Sequence, residues 1–289
     1  MKTTKRLASA LLAAALALSF TACSGKPAEN SSSGEGGKTV VKIGVVGENS
    51  EQWEPVKAAL AADNIEIELV KFSEYSLPNQ ALADGDIDLN SFQHYAFLNK
   101  EIEEKNLDLT VIGETIIAPL GIYSVNVQEV SQVKEGDKVA IPSDATNGGR
   151  ALKVLESAGI ITLDPNAGFN PTVDDIQTYN VGVTIKELKA NVIVSTLPDV
   201  TAAIVNNNYA LDFGLAASDA IFADDRLDIE DYWNLIAART ADLSDPAKVE
   251  VFRKVVKAYQ SDGTLAVYND QCKGFYTPAG WDQDLLPQA

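Results

Sequence analysis

The only histidine of the chain, His94, lies among aromatic residues near the end of residues 71–98. Phe92 and Tyr95 flank it closely, and Phe97 follows. An imidazole beside several aromatic rings suits a pocket that takes an apolar ligand with a polar group. The alternative is a surface loop with buried aromatic rings and a solvated histidine, since core aromatic residues far outnumber ligand contacts.

A second group with binding chemistry is the polar turn at residues 143–149 and Arg150, which follows it. The turn comes after a strand-like segment and opens a helical pattern, so its free backbone N–H groups could bind an anion. Arg150, expected in the first turn of that helix, would add a bidentate cation for a carboxylate. The alternative is that Asn147 only caps the helix and that Arg150 is a solvated surface charge.

Three asparagines and a tyrosine end the apolar segment that begins at residue 198. A buried asparagine is stable only when both its carbonyl and its amide N–H groups have partners. Asn206, the first of the three, is therefore predicted to face a ligand. The alternative is a turn or helix cap formed by Asn207 or Asn208.

The start of the chain predicts a secretory signal peptide over residues 1–22. Three basic residues lie in the first six positions, an uncharged run of 14 residues covers 7–20, and two small residues precede Cys23. The run is too short to span a bilayer. The cysteine after the small pair resembles a lipobox, which implies a lipidated N-terminus at Cys23. The alternative is an ordinary signal peptide that ends near a cysteine.

Residues 23–38 are predicted to be the lipidated cysteine and a flexible tether, because Ser, Gly and charged residues predominate after Cys23. Such a segment cannot bury enough surface to fold and would reach roughly 20 Å. An acyl anchor without another membrane segment predicts a protein on the extracytoplasmic face of a cell membrane.

Charge and cysteine content exclude several classes of function. Three of the 23 Lys and Arg residues and none of the 41 Asp and Glu residues lie in 1–22, so the remaining chain has a net charge of −21. This charge repels nucleic acid, which is therefore not an expected partner. With Cys23 assigned to lipid, Cys272 has no partner for a disulfide or a cysteine-rich metal site. We expect no metal and no cofactor.

The remaining residues predict an α/β protein. Two strand-like segments flank a helical pattern between residues 39 and 72, which is typical of a βαβ unit with parallel strands. Proline and glycine in the extended segment 118–124 suit a crossing between two lobes. Further strands are predicted at 107–116, 137–142 and 232–239, the last as a second crossing, and further helices at 95–106, 150–159, 184–189 and 246–263.

The stretch around His94 resembles the methionine-binding (NlpA-type) lipoproteins that supply ABC importers. Their pattern F-[SN]-[ED]-Y-x-x-P-N-x-A-L-x-x-G-x-I-D-x-N-x-F-Q-H is present without a gap. The turn before Arg150 resembles their P-[NS]-D-x-[TS]-N-x-G-R, and residues 205–210 resemble their I-N-x-x-Y-A. The first pattern is matched by Phe72, Ser73, Glu74, Tyr75, Pro78, Asn79, Ala81, Leu82, Gly85, Ile87, Asp88, Asn90, Phe92, Gln93 and His94.

The resemblance implies a two-lobed fold, like that of periplasmic binding proteins, with the ligand between lobes that two crossing segments join. The first lobe would comprise residues 39–121 and 236–289, and the second lobe residues 122–235. The implied function is capture of L- or D-methionine and its delivery to a membrane permease. The alternative is a protein of the same fold for another apolar amino acid or a methionine-containing dipeptide.

The resemblance also implies how an amino acid would bind at its polar end. Its carboxylate would lie on Arg150 and the turn around Asn147, and Asn206 would hydrogen-bond its polar end.

Aromatic residues would enclose the thioether side chain. Tyr75, Phe92 and Phe97 would surround it, with His94 at the edge of the pocket. Thioether–aromatic contacts contribute about 0.3–1.5 kcal/mol each, enough in a cage to favour methionine over smaller side chains. Because the family often has tyrosine where this chain has Phe97, a hydroxyl contact is expected to be missing.

The permease and the ATPase are expected as separate chains, because no GxxxxGK[ST] loop occurs in the sequence. A secreted hydrolase is an interpretation from another functional class. It would need a nucleophile and a base, yet His94 has no GxSxG motif as partner. We therefore expect a protein that is not an enzyme.

Overall fold

The computed structural model describes residues 37–224 and 226–288. The predicted signal peptide, Cys23 and nearly all of the predicted tether lie outside the described residues. None of the eight helices in the described ranges combines the length and the apolar character that a bilayer-spanning helix requires.

Helices and strands are interspersed along the chain, as the α/β prediction requires. The strands are β1 (Thr39–Val46), β2 (Ile65–Phe72), β3 (Leu89–Asn90), β4 (Leu109–Glu114), β5 (Ile116–Ile117), β6 (Gly121–Tyr123), β7 (Lys138–Pro142), β8 (Ile161–Leu163), β9 (Ile176–Tyr179), β10 (Thr184–Leu188), β11 (Ala202–Val205), β12 (Phe222–Ala223), β13 (Leu235–Arg239) and β14 (Thr277–Pro278). The helices are α1 (Glu54–Ala61), α2 (Pro78–Asp84), α3 (Tyr95–Lys105), α4 (Ala145–Ser157), α5 (Ala190–Ile193), α6 (Asn207–Asp212), α7 (Pro246–Tyr259) and α8 (Asp262–Gln271).

The first five-stranded sheet has the strand order β2-β1-β3-β13-β4. Strands β1 and β2 are parallel and pair from Thr39 with Ile65 to Val46 with Phe72, which confirms the predicted βαβ unit. Strand β13 returns antiparallel between β3 and β4. Helices α1 and α7 contact each other, and the Trp53 ring beside them is fully buried, 4.8 Å from the ring of Tyr259.

The second five-stranded sheet has the order β10-β7-β11-β6-β12. Strand β7 pairs in parallel with β10 and β11, whereas β6 pairs antiparallel with β11 and β12. Helix α4 contributes fully buried residues to the core beside this sheet, among them Leu152 and Leu155. The two sheets with their helices form the two lobes of the fold.

The helix predicted at Thr184–Lys189 is wrong, because residues 184–188 are the edge strand β10. Lys186, Glu187 and Leu188 favour a helix locally. Pairing of all five residues with β7 provides partners for the backbone groups that face β7 in an extended conformation and overrides that preference.

Helix α4 begins at Ala145, five residues before the predicted start. The predicted polar turn is thus the first part of the helix, and Arg150 lies in its second turn. Helix α7 ends at Tyr259, and the separate helix α8 begins at Asp262, so the predicted helix end at Gly263 is also wrong.

Two crossing segments, residues 115–120 and 229–234, connect the two sheets. They run side by side: the Thr115 N–H donates to the carbonyl oxygen of Asn234 at 2.8 Å, and the Asn234 N–H donates to that of Ile116 at 2.7 Å. The first crossing begins earlier than predicted, because residues 121–123 already form β6 of the second sheet. The exact residue boundaries of the lobes stay a prediction.

Candidate ligand-binding site

A cavity of about 100 Å³ lies between the two sheets, beside the first crossing segment. One water molecule needs roughly 10–15 Å³, so the cavity has room for a small organic molecule rather than a single ordered water. All seven predicted site residues line it. They are Tyr75, Phe92, His94, Phe97, Asn147, Arg150 and Asn206.

Three rings from the first lobe form what we call the aromatic wall: Tyr75, Phe92 and Phe97. Each pair of ring centroids is 6.0 Å apart. The ring of Phe97 stands at 67° to Tyr75 and at 77° to Phe92, within the edge-to-face range that aromatic pairs prefer. The wall therefore presents a rigid apolar surface to the cavity.

A buried amide network holds the loop that carries Phe92. The Nδ2 group of Asn79 donates to Oε1 of Gln93 at 2.7 Å, and Nε2 of Gln93 donates to Oδ1 of Asn90 at 3.0 Å. Asn90 Nδ2 closes the network by donating to Asn79 Oδ1 at 2.9 Å. All three side chains are almost fully buried, so each bond forms away from competing water. The network fixes the path of the chain between β3 and α3.

His94 caps helix α3 and connects the two lobes. Its Nδ1 accepts a hydrogen bond from the Phe97 N–H at 3.1 Å, so the ring hydrogen is on Nε2, which lies 3.3 Å from Oδ1 of Asn147. Burial, and secondarily the positive charge of Arg150, lowers the pKa of His94 from 6.5 to about 3. His94 is therefore a neutral hydrogen-bond donor toward the second lobe.

Asn147 is held from three sides. Its backbone N–H and its Nδ2 group both donate to Oδ1 of Asp144 at 2.9 Å, and its own Oδ1 accepts from Asn206 Nδ2 at 2.8 Å. The helix cap is thus Asp144 and not Asn147. The carboxylate of Asp144 accepts from the Asn147 N–H at the start of α4, so this N–H is not free for an anion. The predicted anion site on the turn stays a prediction.

Arg150 is 4 % exposed, so its interpretation as a solvated surface charge is wrong. Its Nη2 donates to the carbonyl oxygen of Ala118 at 2.9 Å, and its Nε lies 3.5 Å from Oδ2 of the buried Asp224. The guanidinium carbon is 4.3 Å from the ring centroid of Tyr232. Burial lowers the pKa of Arg150, Asp224 opposes that shift, and arginine stays charged at any pH at which proteins fold.

Three consecutive asparagines line the cavity at the start of α6. The Oδ1 atoms of Asn206 and Asn207 are buried and have no partner among the described residues. Asn207 Nδ2 donates to the carbonyl oxygen of Pro119 at 2.6 Å, and Asn208 Oδ1 accepts from the hydroxyl of Tyr75. Only Asn206 is predicted from the sequence to face the ligand, although the run of three asparagines is a signal for all of them.

We call Asn147, Arg150, Asn206 and Asn207 the polar wall. Buried amide oxygens without a partner destabilise a protein by about 1–3 kcal/mol each unless a ligand or water donates to them. The polar wall thus offers acceptors for an ammonium group beside a guanidinium for a carboxylate. Within the described ranges, no group of His, Cys, Asp and Glu side chains is arranged to hold a metal ion.

Other residues at the site carried no recognisable signal in the sequence. Tyr232 is fully buried beneath Arg150, and Asp224 comes from β12 and its following loop. Both are distant from Arg150 in sequence, so only the fold brings them together. The cavity is also lined by Val45, Val46, Asn49, Gln52, Ser91, Gln93, Thr115, Ile116, Ala118, Pro119, Leu120, Asn208, Asn234, Tyr259 and Tyr276.

The model of the NlpA lipoprotein family matches residues 41–280 of this chain. The probable D-methionine-binding lipoprotein MetQ of Pasteurella multocida is 36% identical over 280 residues, which are 95% of this chain and 97% of the relative. The D-methionine-binding lipoprotein MetQ of Escherichia coli strain K12 is 35% identical over 239 residues, 81% of this chain and 86% of the relative.

Solved structures with the same fold include one from Streptococcus pneumoniae and one from Burkholderia cenocepacia. The substrate binding protein of a methionine transporter from Streptococcus pneumoniae has a TM-score of 0.79 at 32% identity and covers 83% of this chain and 95% of its own. A nutrient binding protein from Burkholderia cenocepacia bound to methionine has a TM-score of 0.77 at 36% identity, and the match covers 83% of this chain and 99% of that protein.

Proposed function

Because this chain belongs to the NlpA lipoprotein family, we propose that its cavity binds methionine and that the protein delivers it to the permease of an ABC importer. The protein is a substrate-binding lipoprotein. Its partners are the ligand and the permease and ATPase subunits, and its chemistry is reversible binding without turnover.

The observation that carries this proposal is the pairing of two unlike walls around one small cavity. The aromatic wall matches an apolar side chain, and the polar wall matches the two charges of an amino acid. An amino acid without a sizeable side chain would leave the rings without contacts, whereas a simple hydrocarbon would leave the amide oxygens and the guanidinium unpaired.

The carboxylate of the ligand binds the guanidinium of Arg150. Of its five N–H donors, one is directed at Asp224 and one at the carbonyl of Ala118, so three remain for the ligand. Two of these, on different nitrogens, suit a bidentate carboxylate.

The ammonium group donates to the free Oδ1 of Asn206, which no described residue satisfies. Asn207 Oδ1 is a second acceptor on the same side. The neutral His94 holds Asn147 and lies at the edge of the pocket, where it avoids placing a second positive charge beside the ammonium.

The thioether side chain lies against the aromatic wall. A sulfur atom near three rings gains about 0.3–1.5 kcal/mol per contact beyond the burial of its methylene groups. Tyr75 keeps its hydroxyl on Asn208 of the second lobe, so its ring face stays available to the ligand.

Binding specificity is tested by calorimetric titration of the purified protein, unfolded and refolded to remove any bound ligand. The panel is L-methionine, D-methionine, alanine, norleucine and a methionine-containing dipeptide. Heat with methionine and little heat with alanine support the proposal. Heat with the dipeptide alone would support the alternative ligand, which the polar residues Asn49 and Gln52 in the cavity lining favour.

The lipid anchor at Cys23 is the second part of the proposal. The protein is held on the extracytoplasmic face of the cell membrane by acyl chains on Cys23, and residues 24–38 act as its tether. Cys23→Ala is expected to release the protein from the membrane fraction, because acylation at that residue is then impossible. Cys272→Ala is the matched control, since Cys272 is buried; membrane attachment that survives Cys23→Ala would contradict the anchor.

A further inference from the structure

We propose that Asp212 is a positioning residue that holds the two lobes closed and so sets the affinity for the ligand without touching it. Asp212 is the last residue of helix α6, on the second lobe. It is not among the described residues that line the cavity. The inference rests on the proposed function only for the choice of ligand in its test.

The carboxylate of Asp212 binds the first lobe at the end of strand β1. Its Oδ2 accepts from the Glu48 N–H at 2.8 Å, and its Oδ1 accepts from the Asn49 N–H at 2.8 Å. The side chain of Asn49 adds a third bond, from Nδ2 to Oδ1, at 2.7 Å. Charge-assisted bonds to a carboxylate are about twice as strong as bonds between neutral groups.

The backbone of the first lobe is shaped for this carboxylate. Gly47, just before the two donors, has φ +99°, a conformation that other residues rarely adopt. A Cβ atom at this position would lie 2.5 Å from Asp212 Oδ2. Glycine therefore permits both the turn that presents the two N–H groups and the close approach of the carboxylate.

Helix α6 carries further bonds between the lobes on the same face. The Tyr209 hydroxyl donates to the carbonyl oxygen of Ser73 at 3.2 Å, and Asn208 Nδ2 donates to that of Val46 at 3.4 Å. The start of the same helix carries Asn206 and Asn207, which face the cavity. One helix of six residues thus connects the ligand contacts at its first turn with lobe closure at its last residue.

This arrangement links closure to affinity. Opening of the cleft would break the bonds of Asp212, and a ligand held by both walls binds tightly only to the closed form. The apparent dissociation constant is the intrinsic one divided by the closed fraction. Weakening the bonds of Asp212 therefore weakens ligand binding although Asp212 itself does not line the cavity.

The test compares Asp212→Asn with Asp199→Asn. Both remove one negative charge from the second lobe, but Asp199 is exposed, and its carboxylate has no hydrogen bond or ion pair among the described residues. Asp212→Asn places an amide donor against a backbone N–H, so we expect its Kd for L-methionine to rise about 10- to 100-fold, mainly through faster dissociation. Asp199→Asn is expected to bind as the unaltered protein does.

A second measurement needs no ligand. Spin labels at Val40 and Val125, which are exposed and belong to the first and second lobes, report the distance between the lobes. In the ligand-free protein, Asp212→Asn is expected to shift the distance distribution toward longer values, and Asp199→Asn is not. Tyr209→Phe, which removes one neutral bond between the lobes, is expected to shift it in the same direction by less.

Unchanged distances together with an unchanged Kd in Asp212→Asn would overturn the proposal. A lower affinity with an unchanged lobe distance and an unchanged dissociation rate would also overturn it, because the effect would then come from the site itself. If the unaltered protein binds no methionine, the proposed ligand fails, while the distance measurement still decides the role of Asp212.

Discussion

The aromatic wall and the polar wall differ in how the chain builds them. The aromatic wall comes from one continuous stretch, residues 75–97, and the amide network of Asn79, Asn90 and Gln93 holds its central loop. The polar wall combines α4 with the start of α6, and its guanidinium also bonds the first crossing segment and Asp224. The residues of the aromatic wall are therefore close along the chain, whereas those of the polar wall come from segments that are distant in sequence.

The two walls also differ in how much a single contact contributes to the free energy of ligand binding. Contacts with the aromatic wall are many and individually weak, so they discriminate between side chains by small increments. Contacts with the polar wall are few and charged, and each one that is lost leaves a buried group without a partner. We therefore expect substitutions in the polar wall to change affinity and substitutions in the aromatic wall to change selectivity.

The largest expected effect is that of Arg150→Lys on affinity. Lysine keeps a positive charge beside Asp224, but it lacks the planar pair of donors that a carboxylate prefers. We expect methionine binding to weaken by about 2–5 kcal/mol. Calorimetry on Arg226→Lys is the control, because Arg226 Nε also bonds Asp224, at 2.8 Å, and Arg226 does not line the cavity among the described residues. Equal losses of methionine affinity in both variants would show that Arg150 does not bind the ligand directly.

His94 connects the walls and predicts a pH dependence of stability. Its pKa is about 3 in the folded protein and 6.5 unperturbed. The free energy of unfolding is therefore highest above pH 6.5 and falls as the pH is lowered toward 3, because only the unfolded chain binds the proton in that range. At pH 5 the loss is about 2 kcal/mol. Urea unfolding at pH 7.5 and pH 5 should show this loss in the unaltered protein and a smaller one in His94→Asn, which keeps an acceptor for the Phe97 N–H. The same pH dependence in both proteins would show that His94 does not titrate as the structure implies.

Phe92→Ala tests the aromatic wall. We expect it to weaken methionine binding by about 0.5–1.5 kcal/mol more than alanine binding, because only the longer side chain reaches the rings. Tyr179→Ala removes an exposed ring on β9 of the second lobe and should leave both affinities unchanged. Competition binding with the two amino acids measures the difference. If Phe92→Ala weakened both ligands equally, the wall would not select the side chain.

The smallest expected effect concerns the rim of the cleft, where Lys189 Nζ of the second lobe lies 2.7 Å from Glu74 Oε2 of the first. The bond to Lys189 lowers the pKa of Glu74, but the lysine side chain is 69% exposed, and water and salt screen the pair. Glu74→Gln should change the Kd for methionine less than about two-fold. A ten-fold change would show that this exposed ion pair contributes to closure as strongly as the buried bonds of Asp212.

The sequence predicted the aromatic wall well because its residues are close along the chain. Tyr75, Phe92 and His94 belong to one recognisable pattern, Phe97 follows three residues after it, and all four line the cavity. The βαβ unit was predictable for the same reason, since its strands and helix are consecutive and show clear periodicity.

The polar wall was predicted only in part, because it depends on contacts between distant segments. The sequence indicated Asn147, Arg150 and Asn206 but not Asn207, and it placed the start of α4 too late. Gly148 and Gly149 disfavour a helix locally, yet a Cβ at Gly149 would lie 2.9 Å from the Cα of Asn170. The close packing of α4 against that loop therefore requires glycine inside the helix, and no local sequence pattern reveals this requirement.

The partners of the polar wall were beyond prediction. Asp224 and Tyr232 contact Arg150 from positions more than 70 residues away, as the separation of 74 to Asp224 shows. Asp212 likewise reaches backbone donors that are 163 and 164 residues away. Pairings of this kind follow from how the two lobes meet and leave no periodic signal in the sequence.

A crystal structure of the protein grown with L-methionine tests whether the two walls bind the two ends of one amino acid. We expect one methionine in the cavity, with its carboxylate oxygens about 2.7–3.2 Å from the Arg150 guanidinium nitrogens and its sulfur among the three rings of the aromatic wall. Its amino group should lie within the same distance of Asn206 Oδ1. A methionine bound outside this cavity, or one with its side chain toward Arg150 and its carboxylate toward the rings, would contradict the account.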